Sequence, residues 1–227
     1  PGVLVDSTAD LTLALMLAVT RRVAEADRWI RSGHWTDGWQ SDLLLGTDIS
    51  QSTIGIVGLG PIGEAVVTRL KGFGCRVLTW NRTPKQIPGA EPVALDALFA
   101  QSDVVSLHTA LTEETTQIAN RARLASMPSG SSLINTGRGL LVDEAALIDE
   151  VQSGRLKAGL DVFINEPLPA DHPFKRLDNV VLLPHVGSAT ASTRDAMVAR
   201  AFDNLHAGMA GQRVPFCANP EVYEVER

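Results

Sequence analysis

A glycine-rich hexapeptide that directly follows a short β-branched segment restricts the fold of this 227-residue chain more than any other feature. The segment Thr53–Val57 precedes the hexapeptide, and a stretch with helical periodicity follows it. In a strand–turn–helix unit, a first glycine permits the tight turn, a second lets the backbone approach a phosphate, and a third lets helix and strand pack closely. The chain therefore contains a candidate dinucleotide-binding turn, formed by Gly58, Leu59, Gly60, Pro61, Ile62 and Gly63.

Pro61 is the unusual member of this turn. Proline suits the first position of a helix because its missing N–H would have no partner there. The same absence removes one donor from the backbone cradle that a helix N-terminus offers to a phosphate. We therefore expect the neighbouring residues of the turn to supply the donors.

After Ser52 the chain alternates short β-branched segments with segments of helix length, which is typical of α/β proteins. Connections of this length join parallel strands, so we expect a Rossmann-type doubly wound parallel sheet. The predicted strands cover Thr53–Gly58, Arg76–Trp80, Val104–Leu107, Ser132–Asn135, Ala158–Val162 and Val180–Leu183. The predicted helices between them cover Pro61–Phe73, Leu95–Ala100 and Asp143–Gln152.

A long helix is expected before the sheet. Helical periodicity covers Asp10–Arg31, and Gly33 follows its end. We expect the N-cap among Asp6, Ser7 and Thr8, because their side-chain oxygens can accept from the free N–H groups of a first turn.

Two segments lack the alternation of the central part. Residues 32–51 are expected to form an ordered arm, and its Trp35 and Trp39 suggest that something covers them. Ala191–Met209 is predicted to be a second long helix, followed by an irregular tail. We therefore divide the chain into a nucleotide-binding domain at residues 5–190 and a C-terminal piece at residues 191–227.

Composition excludes several classes of function. A formal net charge of −6 and a pI near 5.4 leave no broad basic surface for a nucleic acid. The longest apolar run, Leu11–Val19, is much shorter than the roughly 20 residues of a membrane span. Cys75 and Cys217 cannot form a zinc framework or a disulfide-rich scaffold, which indicates a reducing, cytoplasmic compartment. We therefore expect no nucleic acid, membrane or metal among the partners.

The end of the second predicted strand bears on the choice of nicotinamide cofactor. NAD sites usually place Asp or Glu about 20 residues beyond the glycines, where it accepts from the ribose 2′-hydroxyl. The residues here are Trp80, Asn81, Arg82 and Thr83, without a carboxylate. Arg82 with the Asn81 and Thr83 side chains would form a cationic pocket for a 2′-phosphate. We expect NADP(H) as the preferred cofactor, with NAD(H) as the alternative if Arg82 is only a solvated residue.

Three charged side chains follow predicted strands whose carboxyl ends share one edge of the sheet. Arg138 lies between glycines, where its guanidinium can bind a carboxylate bidentately or form a surface ion pair. His185 offers an imidazole that can act as a general acid near neutral pH. Glu166 can orient that imidazole, or it can be an ordinary loop carboxylate beside Pro167.

Together these segments resemble the D-isomer-specific 2-hydroxyacid dehydrogenases over residues 8–190. The resemblance is carried by GLGPIG at 58–63, NTGRG at 135–139, GLDVFINEP at 159–167 and LPHVGSAT at 183–190, which occur in the order of the family. Within the family, the chain is most similar to glyoxylate/hydroxypyruvate reductases through Asn81-Arg82-Thr83 and DSTAD at 6–10. The resemblance implies NADP(H)-dependent reduction of a small 2-oxo acid, glyoxylate or hydroxypyruvate, to the D-2-hydroxy acid.

The resemblance also implies roles for individual residues. Arg138 would bind the substrate, and His185 with Glu166 would form the proton-donating pair. Asp161 would hydrogen-bond the nicotinamide carboxamide. The other implied cofactor contacts are Thr8, Thr109, Thr136, Gly187 and Ser188, for which hydrogen bonds to loop backbone are the alternative role.

In the family, a substrate-binding domain begins before the nucleotide-binding domain and is completed by a C-terminal helix. We therefore expect a fragment in which residues 191–227 are the remnant of an otherwise missing second domain. Because the family generally dimerises through the nucleotide-binding domain, we expect a homodimer with the Trp35 and Trp39 arm as a candidate contact.

Two alternatives stay open. One is an NAD-linked relative acting on D-lactate, 3-phosphoglycerate or formate, against which the missing Asp at position 81 argues. The other is a nucleotide-sensing module like the co-repressor branch of the family, against which the acidic charge balance argues.

Overall fold

The structure is a computed structural model that describes residues 2–223; Pro1 and the predicted tail residues 224–227 lie outside the described residues. Its centre is a parallel sheet of seven strands in the order β3-β2-β1-β4-β5-β6-β7. The strands are β1 (Thr53–Val57), β2 (Arg76–Trp80), β3 (Glu91–Pro92), β4 (Val104–Leu107), β5 (Ser132–Asn135), β6 (Lys157–Leu160) and β7 (Val180–Leu182). The predicted Rossmann-type doubly wound sheet is thereby confirmed.

One strand was not predicted, and the ends of three others differ. The two-residue strand β3 lies at the edge of the sheet, where the missing N–H of Pro92 costs no ladder bond. The predicted strands Thr53–Gly58, Ala158–Val162 and Val180–Leu183 end one or two residues earlier, and β6 begins at Lys157. Each of these three strands ends where the chain turns out of the sheet into its own loop, and each loop carries predicted site residues.

Seven α-helices accompany the sheet in residues 2–223. They are α1 (Val5–Thr20), α2 (Val23–Arg31), α3 (Pro61–Leu70), α4 (Leu95–Gln101), α5 (Arg121–Ser126), α6 (Glu144–Gln152) and α7 (Ala191–Met209). The short helix α5 was not predicted; Asn120 caps it by accepting from the N–H of Arg123.

Two apolar layers enclose the sheet. Helices α1 and α3 pack on one face, where Met16, Val66 and Ile54 are fully buried. Helices α4, α5 and α6 cover the other face around Phe99 and Leu133. The strands are buried on both faces, as parallel sheets are, so their carboxyl ends are held rigidly.

The prediction of one continuous helix over Asp10–Arg31 was wrong. Helix α1 ends at Thr20, and α2 begins at Val23 after Arg22, whose φ is +54°. This left-handed residue interrupts the helical backbone, while its guanidinium bonds both carboxylate oxygens of Glu25 in α2. No glycine or proline marks the break, so periodicity alone did not reveal it.

The predicted N-cap was also wrong, because α1 begins at Val5 after Leu4. All three candidate capping residues therefore lie inside the helix and make other contacts. The Asp6 carboxylate pairs with Arg69 on α3, and Ser7 Oγ donates to the carbonyl of Leu4. Thr8 Oγ1 donates to the carbonyl of Gly187, far along the chain.

The arm at residues 32–51 is irregular, as predicted, apart from a short 3-10 helix at Ile49–Gln51. Trp35 and Trp39 are 54% and 87% exposed, so no described part of this chain provides the expected cover. The tail contains a 3-10 helix at Pro220–Tyr223. No helix in residues 2–223 is long and apolar enough to cross a membrane.

Candidate active site

The glycine-rich turn has the backbone geometry that its sequence predicts. Gly58 has a φ of +102°, and a Cβ on it would lie 2.7 Å from the backbone of His108 and Thr109. A Cβ on Gly63 would lie 2.0 Å from the carbonyl oxygen of Gly58, so helix α3 packs as closely on β1 as backbone allows. Gly60 differs, because a Cβ there would meet no atom within 4 Å. The open space lies where the second glycine leaves room for a phosphate.

Not every amide of this turn is available to a ligand. The N–H of Leu59 donates to Asn81 Oδ1 at 2.9 Å, and Pro61 has no N–H. The N–H of Leu59 is therefore occupied within the chain, and the role of Leu59 as a cofactor contact stays a prediction. Gly60, Ile62 and Gly63 remain as the backbone donors of the turn.

The Asn81 side chain links the end of β2 to the glycine-rich turn. Its Nδ2 donates to the carbonyl of Thr83, while its Oδ1 accepts from Leu59. The amide thus serves mainly to shape the loop, and one N–H of Nδ2 is left for a ligand.

In the pocket predicted after β2, each positively charged side chain is paired with a carboxylate. Arg82 Nη1 lies 3.5 Å from Oε2 of Glu114, and Lys85 pairs with Glu64 on α3. The expected surplus of positive charge at this end is therefore offset by two carboxylates that sequence inspection did not connect to it.

A cleft of about 620 Å³ lies at the carboxyl edge of the sheet. It brings together nine of the predicted site residues from α1, α3 and the ends of β4, β5, β6 and β7. They are Thr8, Ile62, Thr109, Thr136, Arg138, Asp161, His185, Gly187 and Ser188. The other residues of the glycine-rich turn, the segment Asn81–Thr83 and Glu166 lie outside the lining of this cleft.

Arg138 reaches the cleft from the loop after β5. Its side chain is exposed, and Nη1 donates to the carbonyl of Gly137 at 2.6 Å. Asn135 stabilises the same loop, because its side chain contacts the N–H of Gly137 and the carbonyl of Arg138. The remaining donors of the guanidinium are available to an anion in the cleft.

His185 and Glu166 form a hydrogen-bonded pair. His185 Nδ1 lies 2.7 Å from Glu166 Oε2, and Glu166 Oε1 accepts from the N–H of Phe163 at 3.0 Å. Nε2 of the imidazole is thus left for a ligand in the cleft that His185 lines. The backbone of His185 is left-handed, with a φ of +57°, an unusual conformation for a residue other than glycine.

The electrostatics of the pair favour an ionised carboxylate. Burial raises the pKa of Glu166, but the hydrogen bonds from His185 and Phe163 and the charges of His185 and Arg138 outweigh it. The net result is a pKa below the ordinary value of 4.5. An ionised Glu166 can accept a hydrogen bond at Oε2, the oxygen that lies against Nδ1 of His185.

Asp161 holds the loop that carries His185. The carboxylate is 1% exposed, and its two oxygens accept from the N–H groups of Val186 at 2.8 Å and Gly187 at 2.9 Å. Burial raises the pKa of Asp161, while these two hydrogen bonds act against that rise. Asp161 therefore anchors the loop as well as lining the cleft.

A chain of threonine hydroxyls connects α1 to the floor of the cleft. Thr12 Oγ1 lies 2.9 Å from Oγ1 of Thr136 and donates to the carbonyl of Thr8. Sequence inspection missed Thr12, because it appears only as an interruption of an apolar run. Its contacts fix the position of Thr136 at the end of β5.

Comparison with known proteins places this geometry in a family. Residues 13–187 match the family model described as "D-isomer specific 2-hydroxyacid dehydrogenase, NAD binding domain". The chain belongs to this family.

Two relatives show the degree of similarity. The chain is 44% identical over 230 residues to a protein named "Glyoxylate reductase" from Korarchaeum cryptofilum, covering 99% of this chain and 69% of that protein. It is 46% identical over 228 residues to "Glyoxylate/hydroxypyruvate reductase B" from Pectobacterium carotovorum, covering 98% of this chain and 71% of that protein. Among solved structures, the TT0316 protein from Thermus thermophilus superposes with a TM-score of 0.91 at 49% identity, covering 95% of this chain and 68% of that one.

The cleft fits the nicotinamide dinucleotide that the dehydrogenase family binds. Thr109 Oγ1 is buried without a hydrogen-bond partner among the described residues, and it lies in the lining of the cleft. A buried hydroxyl without a partner is costly in a folded protein, and a polar ligand would remove that cost. The same ligand fits two further features: the open space over Gly60 and the position of the cleft at the carboxyl edge of the sheet, where ligands of such folds bind.

His108 is a second histidine of the dehydrogenase cleft, and it differs from His185 in its electrostatics. It is partly buried just after β4, where its Nε2 is 2.8 Å from Ser106 Oγ and desolvation lowers its pKa to about 4. A neutral imidazole at working pH suits packing at the strand end rather than proton donation.

Proposed function

We propose that the chain reduces glyoxylate or hydroxypyruvate to the corresponding D-2-hydroxy acid with NADPH as the reductant. The observation that carries the proposal is that Arg138 and His185 line one cleft, while Glu166 bonds His185 from outside it. A guanidinium for the substrate carboxylate and a supported imidazole for the proton are the groups that reduction of a 2-oxo acid requires. The names of the two relatives support the choice of substrate.

Each of these residues has a separate task in the proposed reaction. Arg138 binds the carboxylate and the carbonyl oxygen of the 2-oxo acid through donors that Gly137 does not use. The nicotinamide supplies a hydride when it is bound. His185 gives a proton from Nε2 to the substrate oxygen, and Glu166 keeps the ring oriented and favours its protonated form.

In this proposal the cofactor is held by residues that follow six strands and by Thr8 of α1. Gly60, Ile62 and Gly63 donate to the phosphates, and Arg82 and Thr83 contact the 2′-phosphate. The nicotinamide end lies against Asp161 and the threonine-lined part of the cleft. The further cofactor residues are Thr8, Gly58, Pro61, Asn81, Thr109, Thr136, Gly187 and Ser188. The preference for NADP(H) is supported by Arg82 and by the absence of a carboxylate in Asn81–Thr83.

The wider organisation is proposed on similar grounds. Residues 5–190 form the nucleotide-binding domain, and α7 with the tail belongs to a substrate-binding domain. The exposed apolar side chains of Val198, Phe202 and Leu205 on α7 support that division. We also propose a cytoplasmic homodimer in which the exposed Trp35 and Trp39 of the arm contact the second subunit.

A matrix of substrates and cofactors tests the proposed function. NADPH and NADH are each combined with glyoxylate, hydroxypyruvate and pyruvate, and oxidation of the cofactor is followed by absorbance. We expect the highest kcat/KM for glyoxylate or hydroxypyruvate with NADPH. A preference for pyruvate with NADH would contradict the proposal and favour an NAD-linked D-lactate dehydrogenase.

A further inference from the structure

An ion pair links the loops that follow β2 and β4. Arg82 follows β2, and Glu114 lies in the turn after β4; their Nη1 and Oε2 atoms are 3.5 Å apart. In the sheet, β1 lies between β2 and β4, so the two side chains come from opposite sides of the strand that carries the turn. The pair is therefore located at the end of the cofactor site where Arg82 is proposed to act.

The position of Glu114 does not depend on Arg82 alone. Thr112 Oγ1 donates to Glu114 Oε2 at 2.9 Å. The turn is anchored by Thr115, a buried residue whose Oγ1 accepts from the N–H of Thr112 at 2.7 Å. The carboxylate is thus held in place by its own loop when Arg82 takes another partner.

We propose that Glu114 determines cofactor selectivity by competing with the 2′-phosphate of NADPH for Arg82. The inference rests on the proposed NADPH site at Arg82. To bind Arg82, a 2′-phosphate must displace the carboxylate or share the guanidinium with it, and either arrangement weakens the attraction that Arg82 offers to the phosphate. The 2′-hydroxyl of NADH carries no charge, so this penalty falls on NADPH.

The other cation of this segment does not relieve the competition. Lys85 pairs with Glu64 on α3, so it is already engaged with a carboxylate of its own. Arg82 alone would favour NADPH over NADH. Glu114 reduces that preference, because its carboxylate occupies part of the guanidinium.

Parallel titrations with NADPH and NADH test this role, using energy transfer from tryptophan to the reduced nicotinamide as the readout of Kd. The variants are Glu114→Gln, Arg82→Ala, the double variant and Glu113→Gln. Glu113 is the matched control because it is exposed and makes no ion pair or side-chain hydrogen bond within residues 2–223. The side chains of Arg82, Glu113 and Glu114 are exposed, so the substitutions should not disturb the core. Thermal melts verify that each variant is folded.

Glu114→Gln is expected to tighten NADPH binding by up to about fivefold, the upper end for an exposed ion pair, and to leave NADH binding essentially unchanged. The gain should shrink at high salt because exposed charges are screened. It should also vanish in the Arg82→Ala background, since the carboxylate acts through Arg82.

The outcomes separate this inference from the proposed function. If Arg82→Ala leaves the NADPH to NADH ratio unchanged, the proposed NADPH site is wrong and the role of Glu114 is wrong with it. If Arg82→Ala weakens NADPH binding but Glu114→Gln leaves it at the wild-type value, the NADPH site stands and only the role of Glu114 is overturned. An equal gain from Glu113→Gln would also overturn it, because general charge rather than the pair would then be responsible.

Discussion

Nδ1 of His185 lies 2.7 Å from Oε2 of Glu166, a residue 19 positions earlier in the chain. The two residues follow adjacent strands, β7 and β6, so the parallel sheet brings them together. Phe163 fixes the second carboxylate oxygen through its N–H, which leaves the carboxylate little freedom to turn away. The pair is therefore a rigid unit that faces the cleft through the imidazole.

The Glu166→Gln variant tests the contribution of that carboxylate. An amide cannot stabilise a protonated imidazole, so kcat for glyoxylate reduction should fall at least about tenfold while the Kd of NADPH stays within about twofold. The matched control is Glu144→Gln, which removes a carboxylate that contacts His172 outside the cleft. Equal losses in both variants would indicate a general effect on folding and would contradict the role of Glu166.

The lowered pKa of Glu166 sets the direction of a pH effect. The charged form is favoured in the folded protein, so the pair persists above the ordinary value of 4.5 and is lost only as the pH falls through the lower folded pKa. Protonation of Glu166 should therefore not limit kcat at any pH above about 4.5. The measurement is kcat as a function of pH in the wild type and in Glu166→Gln. If the wild type loses activity towards acid above a pH of about 4.5 and the variant does not, this expectation is contradicted.

Two glycine variants should separate packing from ligand binding. Gly63→Ala places a Cβ 2.0 Å from the Gly58 carbonyl oxygen and should cost about 1–3 kcal/mol of the free energy of unfolding. Gly60→Ala meets no atom within 4 Å, so its cost should stay below about 1 kcal/mol. Its methyl group should nevertheless weaken NADPH binding at least about tenfold, because it occupies the space of the phosphates. Urea denaturation and nucleotide titration measure the two effects; unchanged NADPH affinity in Gly60→Ala would rule out this position for the phosphates.

His108 should make the protein less stable in mild acid. Its folded pKa of about 4 is lower than the ordinary value of 6.5, so the unfolded chain binds more protons between these values. Stability should therefore decrease as the pH falls from 6.5 to 4, by at most about 3 kcal/mol from this residue. In His108→Gln, the free energy of unfolding should depend less on pH over this interval. An identical pH dependence in the variant and the wild type would contradict the assignment.

The glycine-rich turn shows why much of the fold was predictable. Local spacing dictates the close contact of Gly63 with Gly58, and a parallel sheet then brings the strand ends to one edge. The approach of Arg138 and His185 to one cleft follows from that topology.

Other features depend on contacts between distant loops, which carry no local signal. The pairing of Arg82 with Glu114 requires the loops after β2 and β4 to meet. The capture of the Leu59 N–H by Asn81 and the bonds from Asp161 to the loop after β7 have the same origin. The break between α1 and α2 at the left-handed Arg22 was not predicted, because no glycine or proline occurs there and the helical periodicity continues through it.

The role of His185 as the proton donor is tested by the kcat of His185→Gln for glyoxylate at saturating NADPH. Glutamine can hydrogen-bond in the cleft but cannot donate the proton that the substrate oxygen needs, so kcat should fall about 10²- to 10⁴-fold. The Kd of NADPH, measured on the same variant by fluorescence, should stay within about twofold because the glycine-rich turn is untouched. A His185→Gln variant that reduces glyoxylate at a rate close to that of the wild type would contradict the account.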